Sequence, residues 1–374
     1  MRSLTLHHFV VFGLLAWGLP AALFIGPLAI WLSLLTTAPI LVSLWLVGRS
    51  PSAETPTPQP AAFLVVLCLG LVYLAVDATV GRMKFAENLF LSTHALSKTV
   101  EDINVSMSKG RGVVDLLGGI MIFLPFVLFD LVRRAPNRLR PALWALAGAL
   151  AFYEVGISRG YLLMAIIVML LGTKINVLRS LIAGGLSLLG FVAASSARGD
   201  FSNATFSNPL FDAIGVPFMN LTLLVGRAPD GAGWFDFLME FFKKFIPSFF
   251  YSKSVFSFNA EMSKLIYPIQ SDYLESISIF TYLGEYYYYK PQFLTALVGG
   301  CLLGLLCYWV EKLMRTHGFN SARYFAGFMC VVLLRSRVQD VFSFLLFLAI
   351  FIYLYRFIVA VTEDWFTTRL IERF

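Results

Sequence analysis

From His8 to Val47 the chain is almost unbroken apolar, and that run constrains the fold more than any other feature. About twenty apolar residues carry a helix across a bilayer, so a run of about forty is long enough for two crossings. Gly26-Pro27 is the expected hairpin between them. The same pattern repeats down the chain. Only 14% of the 374 residues are charged and 58% are hydrophobic, with a mean hydropathy of +0.77. A soluble domain carries about 25% charged residues and could not hide this much apolar surface.

Further apolar runs fall at residues 61–80, 113–132, 141–157, 160–172 and 181–194, and then at 291–310, 324–334 and 341–361. Together with the first two they predict an all-α, polytopic integral membrane protein of about ten transmembrane helices. Residues 1–374 are read as a single membrane domain. A proline-bearing linker at 49–60 and a polar loop at 81–111 join early spans. One stretch stands apart. Residues 195–290 are neither a span nor a short connector, and they are read as a long periplasmic loop with short helices between spans 7 and 8.

Charge distribution gives the orientation. The joints at 133–140, 174–179 and 311–323 share one side with both termini, and that side collects about fourteen Lys and Arg. The short joints on the other side hold only Arg159, Arg335 and Arg337. The asymmetry predicts cytoplasmic termini and an outward-facing loop. The net charge of +7 is used up in these joints, so no nucleic-acid partner is expected. The first apolar run has no clear small-residue cleavage site, so no cleavable signal peptide is expected. All four cysteines lie in apolar runs, and no disulfide or thiol chemistry is expected.

Chemistry concentrates on the outward side. Arg159, Arg335 and Arg337 sit where the charge rule disfavours them, and Arg198 opens the long loop. A guanidinium at the bilayer edge stays charged and can grip a phosphate with a planar fork. The plainer reading is an interfacial anchor, or a pair with an acid such as Glu154 or Asp340. The loop acids Glu261, Asp272, Glu275 and Glu285 are candidate general bases, because a carboxylate against an apolar wall has a raised pKa. Glu285 follows Gly284 just before the next span, nearest the membrane. The segment from Trp234 to Tyr289 is dense in rings, including Tyr273 and Tyr286. They suit stacking on sugars or, equally, an aromatic belt in the interface. The part near Lys243 and Lys244 has the look of an amphipathic segment. The loop has no histidine, and no residue spacing suggests a metal or a nucleotide phosphate loop.

Four groups of residues carry a resemblance, three of them along the chain up to Lys253 and one at the close of the loop. The three are Ser158-Arg159-Gly160 at a helix start, Arg198-Gly at the head of the loop, and Phe245-Ile-Pro-Ser with Lys253 soon after. The loop then closes on Ser278-Ile-Phe-Thr-Tyr-Leu-Gly284-Glu285-Tyr286. In these and in its layout the chain is similar to bacterial O-antigen and oligosaccharide repeat-unit polymerases of the Wzy type. The resemblance implies a GT-C-like, metal-independent glycosyltransferase of the inner membrane, without a cofactor. Its substrates would be undecaprenyl-diphosphate-linked oligosaccharides. Membrane lipids, a chain-length regulator and a flippase are the expected partners. It implies Arg159 and Arg198 on the diphosphate and an acid as the base. From their positions Glu285 and then Glu275 are expected to be that acid, and Lys253, Asp272, Tyr273, Tyr286, Arg335 and Arg337 are expected to bind substrate. The related ligases use a loop histidine, which this loop lacks. A ligase-like transferase, a polysaccharide or lipid transporter and an inactive assembly partner are the alternatives.

Overall fold

A computed structural model of the chain describes residues 5–49, 60–80, 122–155, 209–227, 231–243 and 281–371. The described residues are almost wholly helical, as an all-α membrane protein requires. In order they form α1 (Leu6–Ile25), α2 (Leu28–Arg49), α3 (Pro60–Val80), α4 (Leu124–Val132), α5 (Arg140–Val155) and α6 (Pro209–Arg227). There follow β1 (Ala232–Gly233), α7 (Trp234–Lys243), α8 (Tyr282–Tyr288), β2 (Tyr289–Lys290), α9 (Gln292–His317), α10 (Asn320–Leu333) and α11 (Val338–Ile371). Four are long and apolar enough to cross a membrane: Leu6–Ile25, Leu28–Val47, Gln292–His317, and Val338–Trp365 within α11. Of the remaining expected spans, α3 covers the run at 61–80, and the others are shorter helices or fall partly or wholly outside the described residues.

The described residues divide into two compact units. The first draws on Met1–Pro51, Ala204–Glu311 and Ala326–Leu346. Its α1–α2 hairpin turns where expected. Gly26 adopts φ 74°, a left-handed value that a β-carbon disfavours. Its N–H bonds Ala22 O at 3.0 Å and closes the first helix. The opposite end of α1 is capped from afar. Glu311, fully buried near the end of α9, accepts the Leu6 N–H at 2.9 Å. A helix start leaves such N–H groups without intrahelical partners and favours a negative charge there. Along its length α1 packs on α10: the Trp17 indole donates to Val331 O at 2.8 Å, and Phe9 meets Phe328 edge-on.

The stretch expected to be a long loop contains a 19-residue helix, α6. Asp212, Pro217 and Asn220 interrupt its apolar run and hide it from a hydropathy reading. Its Phe218 stacks on Phe24 of α1.

The second unit draws on Ser52–Asn203, Lys312–Phe325 and Phe347–Phe374. Here Asp130, in α4, accepts from the Ser321 N–H at 2.7 and 3.0 Å and from the Ser321 hydroxyl at 2.8 Å. It thereby serves the first turn of α10 as a capping residue would. Arg134 donates to the carbonyls of His317 and Gly318, the last turn of α9. Two neighbouring side chains of opposite charge thus satisfy both sides of one helix–helix turn.

Candidate functional site

The site is built on α8, a seven-residue helix at the close of the long stretch. Thr281 precedes it in extended conformation, and the Gly284 N–H returns to Thr281 O at 2.8 Å. The Tyr282 N–H donates to Leu334 O, fixing the start of α8 against the α10–α11 turn. The Tyr282 hydroxyl lies 2.9 Å from Leu14 O and 2.7 Å from the Ser33 hydroxyl. Gly18 leaves room for it, since a β-carbon there would fall on both hydroxyls.

These ties leave Glu285 fully buried and aimed at the start of α11. Its Oε2 accepts the Val338 N–H at 2.9 Å. Its Oε1 is buried and makes no hydrogen bond among the described residues. Burial pushes its carboxyl pKa up to about 8; Arg337 and the Val338 and Gln339 N–H groups pull it down, and Asp340 adds to the rise. At neutral pH the group therefore holds a proton and sits near the point of releasing it.

Beside it is an ion pair. Arg337 Nη2 lies 2.8 Å from Asp340 Oδ1, and Nε donates to Oδ2 at 3.2 Å. Burial opposes the guanidinium's charge, but Asp340 and Glu285 outweigh it and hold its pKa above the ordinary value. Gln339 lies between the two. Its Nε2 donates to Phe237 O of α7 at 3.3 Å, while its Oε1 is buried without a partner among the described residues. The same is true of the hydroxyl of Thr281, the residue that precedes α8.

An aromatic wall closes the site. Phe237 packs against Phe241, Tyr286 and Tyr289, and Phe241 against Phe342. Tyr286, expected on substrate, is fully buried, with its hydroxyl beside Thr36 and Gly299. Arg335 lies in the α10–α11 turn, where burial lowers its pKa. Of the sequence-predicted residues, the structure brings Glu285 and Arg337 together. Arg159, Arg198, Lys253, Asp272, Tyr273 and Glu275 lie outside the described residues. Sequence reasoning weighed Asp340 only as an arginine's partner, which it is for Arg337. It missed Thr281 and Gln339, which are uncharged and gave no signal. Among the described residues no group of three or more His, Cys, Asp or Glu is placed to hold a metal ion.

The chain matches no protein-family model, no curated protein and no solved structure.

Proposed function

We propose that this protein is a polytopic membrane glycosyltransferase that polymerises undecaprenyl-diphosphate-linked oligosaccharide repeat units at the periplasmic face of a bacterial inner membrane. The observation that carries the reading is Glu285: a buried carboxyl with one oxygen held by a helix start, the other buried without a hydrogen bond among the described residues, and a pKa near 8. In this reaction the acceptor hydroxyl attacks the anomeric carbon of the donor. The bond to the carrier diphosphate breaks, and the hydroxyl proton passes to Oε1 of Glu285 in its ionised form, a minority at neutral pH that grows as pH rises toward about 8. A base with a pKa near the working pH suits that transfer. Arg159 and Arg198 receive the charge that develops on the leaving diphosphate, as the resemblance implies, and fixed guanidiniums do so better than water.

Sidedness supports the placement. The start of α1 lies beside Glu311, whereas α8 lies beside the starts of α9 and α11. From Gln292 to Glu311, α9 rises roughly 30 Å at 1.5 Å per residue. That is about the thickness of a bilayer core. If α9 crosses the membrane, the start of α1 and Glu285 belong to opposite ends of that crossing, which supports an outward site opposite a cytoplasmic start of α1. The test is to incubate the purified protein with lipid-linked repeat units. A ladder of products that Glu285→Gln abolishes is the expected result; a wild-type protein that leaves the units single sinks the proposal.

A further inference from the structure

We propose that the Trp234–Lys243 helix is an interfacial membrane anchor, seating Trp234, Phe235 and Met239 among lipid headgroups where α9 and α11 enter the bilayer. The helix is apolar on two faces. Phe237 and Phe241 are buried in the protein beside Glu240. On the other face Trp234, Phe235 and Met239 are 41%, 61% and 37% exposed. At 100° per residue, Phe235 is the centre of that face, flanked by Leu238 and Met239, with Asp236 at its edge. A helix with rings on its outer side needs something apolar to cover them.

Two ties say what that is. β1, which leads directly into α7, pairs in parallel with β2, Ala232 opposite Tyr289 and Gly233 opposite Lys290. Two residues after Lys290, α9 begins, and its own apolar side chains are exposed from the first turn: Phe293 at 51%, Leu294 at 39% and Leu297 at 41%. The second tie is Gln339, in the first turn of α11, whose side chain reaches Phe237 O. The helix is thus held at the level where two membrane-crossing helices start. That is the boundary between water and hydrocarbon, where tryptophan and other ring-bearing side chains settle and where an amphipathic helix lies flat. Lys290, exposed in β2, places positive charge at the same level, which suits anionic headgroups. The helix then fixes the depth of the aromatic wall, and with it the height of Glu285 above the hydrocarbon.

The inference rests on α9 and α11 crossing the membrane and not on the reaction assigned to Glu285. Spin labels at Phe235→Cys and Met239→Cys test it, in full-length protein in phosphatidylethanolamine–phosphatidylglycerol vesicles. The exposed Cys68 and Cys301 are first changed to alanine; Cys307 and Cys330 are buried. Labels at Leu305→Cys, exposed midway along α9, and at Asn137→Cys mark hydrocarbon and water. The expected result is an oxygen-to-nickel accessibility ratio at 235 and 239 between those two markers. A ratio equal to that at Asn137 shows water and overturns the anchor while leaving the spans. Labels shielded from both reagents show a protein cover, another segment or a second copy, and overturn it too. A water-like signal at Leu305 removes the membrane reading and the anchor together.

Discussion

The carboxylate of Glu285 holds the backbone N–H of Val338, 53 residues further along, at 2.9 Å. One side chain thereby completes the first turn of the 34-residue helix and keeps its second oxygen unbonded among the described residues. A variant that keeps the bonded oxygen and changes the other can therefore tell a role in folding from a role in chemistry.

Glu285→Gln separates them. The amide oxygen still accepts from Val338, so the fold persists, but no proton can be taken. Turnover should fall about a hundredfold or more, the scale of a lost general base. The wild-type rate should rise with pH toward about 8, where the carboxyl ionises, and the variant should lack that limb. Stability carries the same signature. Between the ordinary value of 4.5 and about 8, the folded chain keeps a proton that the unfolded chain has released. Unfolding therefore releases that proton, and the contribution of this group to stability falls as pH rises through the window and is level on either side. Tm in detergent should decline less from pH 5 to pH 8 in Glu285→Gln than in wild type. An unchanged decline and near-normal turnover would make Glu285 a cap and nothing more.

The neighbouring pair should move that limb in opposite directions. Arg337 lowers the Glu285 pKa and Asp340 raises it. Asp340→Asn removes the raising charge and frees the guanidinium for Glu285, so the limb should shift to lower pH. Arg337→Gln should shift it to higher pH. Arg337→Lys should not restore the wild-type profile, because an ammonium cannot reproduce the two-pronged contact with Asp340. Shifts of the same sign in the Asn and Gln variants would contradict the arrangement.

What was legible in the sequence was what the bilayer imposes. The Gly26-Pro27 hairpin and the long apolar helices could be read because hydrocarbon tolerates few alternatives. Glu285 stood out because it carries a charge beside a span. Its partners did not: Val338, Gln339 and Thr281 are ordinary residues that matter only through tertiary contact. Asp130 was passed over inside an apolar run, since its partner Ser321 is 191 residues away. The α6 helix was read as loop because three polar or helix-breaking residues broke its hydropathy while leaving enough apolar face to pack on α1.

Close approach of α9 to α2 gives a prediction about stability alone. A β-carbon on Gly300 would meet Thr36 O at 2.5 Å and Thr36 Cα at 2.8 Å, and one on Gly304 would meet Pro39 O at 3.0 Å. Glycines four apart let helix backbones touch in this way. Gly300→Ala should destabilise by about 1–3 kcal/mol, the usual cost of overpacking. Gly148→Ala, with open space around it, should be neutral or slightly stabilising. Thermal unfolding in detergent compares the two, and equal Tm changes would mean that α2 and α9 do not pack this closely.

Orientation is tested from outside the cell. The 133–140 joint carries four arginines and should be cytoplasmic, while residues 195–290 should face out. Asn137, exposed between α4 and α5, should resist an impermeant maleimide when changed to cysteine in intact spheroplasts, and should react once the membrane is opened. Ser254→Cys, in the long stretch outside the described residues, should react without opening. Reaction at Asn137 with protection at Ser254 would invert the protein and place Glu285 on the cytoplasmic side, where the proposed periplasmic polymerisation could not occur.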